Sequence, residues 1–99
     1  MNLNGYETFT TFWHDFEIAE KFGVAAIRDT FQRVFAEWKH DYKYLTELVM
    51  VLNHKCWDFY NQHMDVYSQV YAELYYQAHD YALENLNQDE IAYYFRITD

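Results

Sequence analysis

Proline is absent from this 99-residue chain, and glycine occurs only twice. These residues most often end or kink helices, so their scarcity favours long helical segments. The single cysteine excludes an internal disulfide. No apolar run of signal-peptide length follows Met1, and the longest apolar run, Leu48 to Leu52, has five residues, whereas a membrane-spanning helix needs about 20. We therefore expect a soluble, cytoplasmic protein.

Basic residues are also few. Seven Lys and Arg stand against 16 Asp and Glu, which gives a formal net charge of -9. This balance argues against binding to nucleic-acid phosphates, which requires a basic surface, and favours basic partners or simply solubility. Hydrophobic residues make up 52% of the chain and aromatic residues 22%. This composition is typical of a folded protein, and the length predicts one helical domain over residues 1–99.

The segment from Asp41 to Asn61, DYKYLTELVMVLNHKCWDFYN, predicts one long helix capped by Asp41. Its core face, at a helical spacing, comprises Leu45, Leu48, Val49, Leu52, Cys56 and Phe59. On the opposite side Met50 and Trp57, seven residues apart, form a second apolar strip. A helix that is apolar on two sides is expected at the centre of a bundle, so this strip is either covered by another helix or is an apolar docking surface.

Other helices are predicted on both sides of this central segment. We expect a loop over Met1 to Thr11, a helix capped near Thr10 or Thr11 that runs to about Phe22 and stops at Gly23, and an amphipathic helix from Val24 to Lys39. The first helix would bury Phe12, Phe16, Ala19 and Phe22 and expose Asp15, Glu17 and Glu20.

The second half of the chain predicts two further helices. One runs from Asp65 to about Leu86 and buries a stripe rich in tyrosine, whose hydroxyls we expect to reach water at the bundle edge: Tyr67, Val70, Tyr71, Leu74, Ala78, Tyr81 and Asn85. The other runs from Ile91 to about Arg96 and follows a capping box between Asn87 and Glu90. The fold class is therefore all-α, a single small bundle of four or five helices around a central helix.

Negative charge is concentrated late in the chain, since residues 56–95 contain no Lys or Arg. Four carboxylates, Asp65, Glu73, Asp80 and Glu84, fall within an arc of about 100° on the fourth helix and span about 28 Å, and Asp89 and Glu90 follow. One interpretation is a solvated helix face. The other is a surface that binds the basic nucleic-acid-binding groove of a partner protein and excludes nucleic acid.

Few residues in the sequence suggest a catalytic or metal-binding site. Three His-Asp pairs, His14-Asp15, His40-Asp41 and His79-Asp80, suggest as an alternative a small metal-dependent hydrolase or nuclease, although neighbouring side chains on a helix diverge by about 100° and would need ligands from other helices. Cys56 lies on the core face, which indicates a buried, inert thiol. No nucleophile elbow, phosphate loop or zinc motif occurs. We expect no enzyme activity, cofactor or resident metal.

Three segments carry a resemblance: YETFTTFWHDFEIAEKFGVAAIRDTF (Tyr6 to Phe31), WKHDYKYLTELVMVLNHK (Trp38 to Lys55) and the ending DEIAYYFRITD. They resemble a family of short acidic proteins carried on conjugative elements and phages of Gram-positive bacteria, and within it the type II-A anti-CRISPR proteins. The resemblance implies a binding inhibitor of the guide-RNA-directed DNA nuclease, whose guide channel is basic, and offers no catalytic residues. A regulatory interaction module of a mobile element remains a third interpretation, and self-association is left open.

Overall fold

The computed structural model describes residues 5–98, and these form five helices with no strand. In chain order the helices are α1 (Gly5–Glu20), α2 (Val24–Trp38), α3 (Tyr42–Asn61), α4 (Asp65–Asn85) and α5 (Gln88–Thr98). The predicted all-α bundle is confirmed, and the predicted boundaries of α2, α3 and α4 agree with the observed ones within one residue.

The central helix α3 contacts each of the other four helices, and its interface with α4 is the most extensive. Asp41 caps it, because the carboxylate oxygen Oδ1 accepts hydrogen bonds from the backbone N–H groups of Lys43 and Tyr44 at 3.0 and 3.3 Å. Its predicted core face is buried except for half-buried Cys56. Thr46 and Val51 are also fully buried, so packing surrounds much of the helix.

The start of α1 differs from its predicted position. The helix begins at Gly5 instead of at Thr10 or Thr11, so the predicted loop is wrong from residue 5 onward, and its first part lies outside the described residues. Thr8 is buried, and the Thr10 hydroxyl donates to the Tyr6 carbonyl at 2.9 Å. Tertiary packing of this first turn against the bundle has therefore overridden the strand propensity of its Thr and Phe residues.

The end of α1 also corrects one prediction. The helix stops at Glu20, and Gly23 has a φ of 107°, which is the left-handed backbone region that glycine favours. Phe22 therefore lies in the turn and is 79% exposed instead of extending the core face. Phe12, Phe16 and Ala19 are buried as predicted.

A buried ion pair joins α1 to α3. Lys55 is 2% exposed, and its Nζ lies 3.0 Å from Glu20 Oε2 and 3.9 Å from the centre of the Trp13 ring. The Tyr71 hydroxyl of α4 donates to the same Glu20 oxygen at 2.5 Å. Burial, followed by the neighbouring Glu20 carboxylate, raises the pKa of Tyr71 well above its ordinary value. The prediction that Glu20 lies on the exposed side of α1 is therefore wrong.

Two members of the predicted α4 stripe behave differently from expectation. Tyr71 is fully buried instead of lying at the bundle edge, because Glu20 supplies a partner for its hydroxyl. Asn85 is exposed at the helix end, where its side chain donates to the Tyr81 carbonyl at 2.9 Å. Tyr67 and Tyr81 are half-buried, as expected for rings near the rim.

The last helix, α5, follows the predicted capping box, but it is longer than the predicted segment from Ile91 to Arg96, since it begins at Gln88 and ends at Thr98. The Asn87 N–H donates to Glu90 Oε1 at 3.0 Å, and the Glu90 N–H donates to Asn87 Oδ1 at 2.9 Å. Farther along, fully buried Tyr94 places its hydroxyl 2.5 Å from His79 Nδ1. This contact ties α5 to α4.

Candidate protein-binding surface

The outward side of α4 holds four of the predicted site residues. Asp65, Glu73, Asp80 and Glu84 are all exposed on this one helix, and we call this set the acidic face. They lie away from the buried stripe of α4, which packs mainly on α3. The arrangement follows from helix geometry, because the acidic residues and the core residues occupy different arcs of the same 3.6-residue repeat.

One carboxylate of the acidic face has a cation beside it. Arg28 of α2 donates from Nη2 to Glu73 Oε2 at 2.8 Å, with both side chains largely exposed. Among the described residues, no ion pair involves Asp65, Asp80 or Glu84. The unbalanced charge of the face therefore lies on these three side chains.

The two predicted site residues of α5 play different parts. Asp89 is exposed in the first turn of the helix, where a carboxylate interacts favourably with the helix dipole. Glu90 is half-buried, and its carboxylate accepts the Asn87 N–H in the capping box. Asp89 is thus open to a partner, whereas Glu90 is engaged in the structure of its own helix.

Three exposed apolar side chains on α4 lie within the same arc as the acidic face and were not predicted as site residues: Val66, Tyr76 and Leu83. Tyr76 is 61% exposed and Leu83 is 47% exposed. Around the helix, Tyr76 lies about 20° and Leu83 about 0° from Asp65, which places both at the Asp65 edge of the arc, with the other three carboxylates on one side of them. The seven-residue spacing between them was a signal in the sequence, but the tyrosine-rich buried stripe of the same helix obscured it.

The predicted apolar strip on α3 is divided in the structure. Met50 is half-buried and lines a small cavity with residues of α4 and α5, including Tyr75 and Thr98. Trp57 is 57% exposed, and its ring meets that of exposed Tyr60 edge-on at 5.5 Å. Helices therefore cover the Met50 end, and only the Trp57 end remains on the surface.

A groove of about 410 Å³ lies on another side of the bundle, between α1 and the corner where α3 turns into α4. Its apolar lining comprises Ile18, Phe59, Met64 and Tyr67, and its polar lining comprises His14, Glu17, Glu20 and Lys21. Two carboxylates, Glu17 and Glu20, line this groove. They are balanced by two cations, Lys21 of the lining and the buried Lys55 beside Glu20. The groove therefore lacks the charge excess that distinguishes the outward side of α4.

The three His-Asp pairs have separate surroundings. His14 lies 3.6 Å from Glu17 and Asp15 lies 3.9 Å from Arg33, Asp41 caps α3, and the ring of His79 contacts the Tyr94 hydroxyl. Within residues 5–98, no three His, Cys, Asp or Glu side chains converge closely enough to hold a metal ion. The half-buried Cys56 has its Sγ 3.6 Å from Ser68 Oγ, and the Ser68 hydroxyl donates to the Cys56 carbonyl at 2.9 Å.

Comparison with known proteins does not identify a family for this chain. No protein-family model matches the chain, and no curated protein or solved structure is significantly similar to it. None of the helices in residues 5–98 combines the length and apolar character that crossing a membrane requires. The functional interpretation therefore depends on the geometry and charge of the chain itself.

Proposed function

We propose that this protein is a non-enzymatic inhibitor that binds the basic nucleic-acid-binding groove of a partner protein through the acidic face of α4. The observation that supports the proposal is the exposure of Asp65, Asp80 and Glu84 without a cation partner among the described residues. Unpaired carboxylates on a rigid helix attract a basic surface and accelerate association with it.

The partner expected from the resemblance is the guide-RNA-directed DNA nuclease of type II-A CRISPR systems, met in the cytoplasm of a bacterial host. Its guide channel is lined with positive charge. The inhibitor would occupy part of this channel and interfere with guide loading or DNA engagement.

The density of charge indicates how such inhibition would work. A DNA duplex carries one charge per about 1.7 Å of its axis, whereas the three carboxylates that have no ion-pair partner in the described part of the chain are spread over about 28 Å of α4. The acidic face is therefore too sparse to reproduce a nucleic-acid backbone. We propose that the carboxylates steer and orient the protein, and that the bulk of the bundle blocks the groove.

The test is direct binding to purified type II-A nucleases, with and without guide RNA, measured by biolayer interferometry at moderate salt. The charge-reversal variant Asp80→Lys/Glu84→Lys should bind about tenfold more weakly than wild type, with slower association. A matched control, Asp29→Lys/Glu37→Lys, changes the net charge equally at two exposed positions of α2. Absence of binding to every nuclease, or equal losses in both variants, would contradict the proposal.

A further inference from the structure

The acidic face of α4 is bordered on one side by an apolar pair. Tyr76 and Leu83 are 61% and 47% exposed, and they lie seven residues apart, which is about 10 Å along the helix. Asp80 follows Tyr76 by four residues and precedes Leu83 by three. This i, i+4, i+7 spacing aligns the three side chains on one side of the helix, as in helices that insert their anchors into a partner's groove.

The exposed ring of Tyr76 is the outer member of a series of aromatic contacts that leads into the core. It meets Tyr75 edge-on at 5.2 Å, and Tyr75 stacks on His79 at 5.5 Å. His79 in turn contacts the hydroxyl of buried Tyr94 through its Nδ1. A tyrosine side chain has only two torsion angles to restrict, so its ring loses little conformational freedom on binding, which suits an interface anchor.

The carboxylates beside Tyr76 and Leu83 indicate which kind of partner surface can bind this face. Asp80 lies between Tyr76 and Leu83, and Glu84 lies next to Leu83, both without a cation partner among the described residues. A second copy of this chain would bring like charges together across the interface, which opposes self-association. A basic surface with an apolar hollow beside its cations complements both features.

We propose that Tyr76 and Leu83 are the apolar anchors of the acidic face, and that they enter a hollow bordered by Lys and Arg side chains on the partner protein. This inference rests on the proposed function, because it concerns the same face and the same partner. It adds that recognition is not purely electrostatic. The carboxylates accelerate the encounter, and burial of the two apolar side chains slows dissociation.

The test compares two pairs of alanine substitutions matched in residue size and exposure. The first is Tyr76→Ala/Leu83→Ala, and the control is Tyr60→Ala/Ile18→Ala, whose side chains are 57% and 45% exposed. Circular dichroism confirms folding of each variant. The first pair should weaken nuclease binding about 30-fold, mainly through faster dissociation, as expected for interface hot spots. Binding by the control should change less than about twofold.

The possible failures are distinguishable. If the Tyr76/Leu83 variant binds as tightly as wild type while the Asp80/Glu84 reversal binds poorly, the anchor role of Tyr76 and Leu83 is contradicted and the proposed function stands. If wild type binds no type II-A nuclease, both fall together. Light scattering of the free protein supplies a third readout. A loss of self-association in the Tyr76/Leu83 variant, with unchanged nuclease affinity, would show that this face is a dimer contact and would contradict the anchor role of Tyr76 and Leu83.

Discussion

Charge is used in two opposite ways in this small bundle. Between α1, α3 and α4, Lys55 and Glu20 are buried as a pair, with the Tyr71 hydroxyl and the Trp13 ring completing their surroundings. On the outward side of α4, Asp80 and Glu84 are exposed, and within residues 5–98 neither has a cation partner. The first arrangement determines how helices meet, whereas the second contributes little to folding and leaves its charge available to a partner.

The difference follows from the energetics of solvation. A charge removed from water requires a partner in the folded protein, so breaking a buried pair is costly. An exposed carboxylate keeps its hydration, and even its repulsion of a like charge four residues away costs only a few tenths of a kcal/mol. Substitutions in the buried pair should therefore change stability, and substitutions on the acidic face should change binding.

The largest effect on stability is expected for Lys55→Ala. The substitution leaves Glu20, whose side chain is only 17% exposed, without its cation, and should lower the free energy of unfolding by about 3 kcal/mol. Urea denaturation measures the change. The double variant Glu20→Leu/Lys55→Met removes both charges and should recover most of the loss, but not all of it, because the Tyr71 hydroxyl then lacks its acceptor. Equal losses in the single and double variants would contradict this view of the pair.

A smaller loss is expected for Tyr71→Phe, which removes one donor but leaves Lys55 on Glu20. The cost should be about 1–2 kcal/mol at pH 8. The pKa of Tyr71 is raised in the folded protein, first by burial, so the stability that its hydroxyl contributes is lost as the pH rises above the ordinary tyrosine pKa of 10.0. The difference between wild type and variant should therefore shrink from pH 8 to pH 11 in urea titrations. A constant difference would show that the hydroxyl is not protected from ionisation.

The smallest effect is expected at Glu47. The burial of its side chain is intermediate between that of the Lys55–Glu20 pair and that of the acidic face. Its carboxylate is half-buried against Gly5, and no ion pair among the described residues involves it. Burial raises the pKa of Glu47, so its charged form opposes folding as the pH rises. Glu47→Gln should raise the melting temperature slightly at pH 7, and the gain should vanish near pH 4. A gain that persists in acid would have another cause.

The sequence was most informative where local pattern decides the structure. The helical repeat in α2 and α3, the Asp41 cap and the Asn87 capping box depend on residues within a few positions of each other. The start of α1 was missed because its Thr and Phe residues have strand propensity, and only packing against the bundle makes that turn helical.

Contacts between distant residues were beyond sequence reasoning. Tyr71 and Glu20 are 51 positions apart, and Arg28 and Glu73 are 45 apart, so no local spacing indicated either pair. For the candidate site, periodicity alone placed the carboxylates on one side of α4. It did not identify Glu73 as the paired member of the set, because that depends on where α2 packs. The exposure of Tyr76 was missed for a different reason, since the tyrosine-rich buried stripe of the same helix obscured its position.

The most direct test of the binding surface is to map it in the complex. Cross-saturation NMR on isotope-labelled inhibitor bound to the nuclease reports which amides lie at the interface. We expect the signal losses on the outward side of α4, centred on Tyr76, Asp80 and Leu83, with none at Asp29 or Glu37 of α2. Losses confined to the groove around Ile18 and Met64, or to the exposed end of α3 at Trp57, would contradict the assignment of the acidic face as the binding surface.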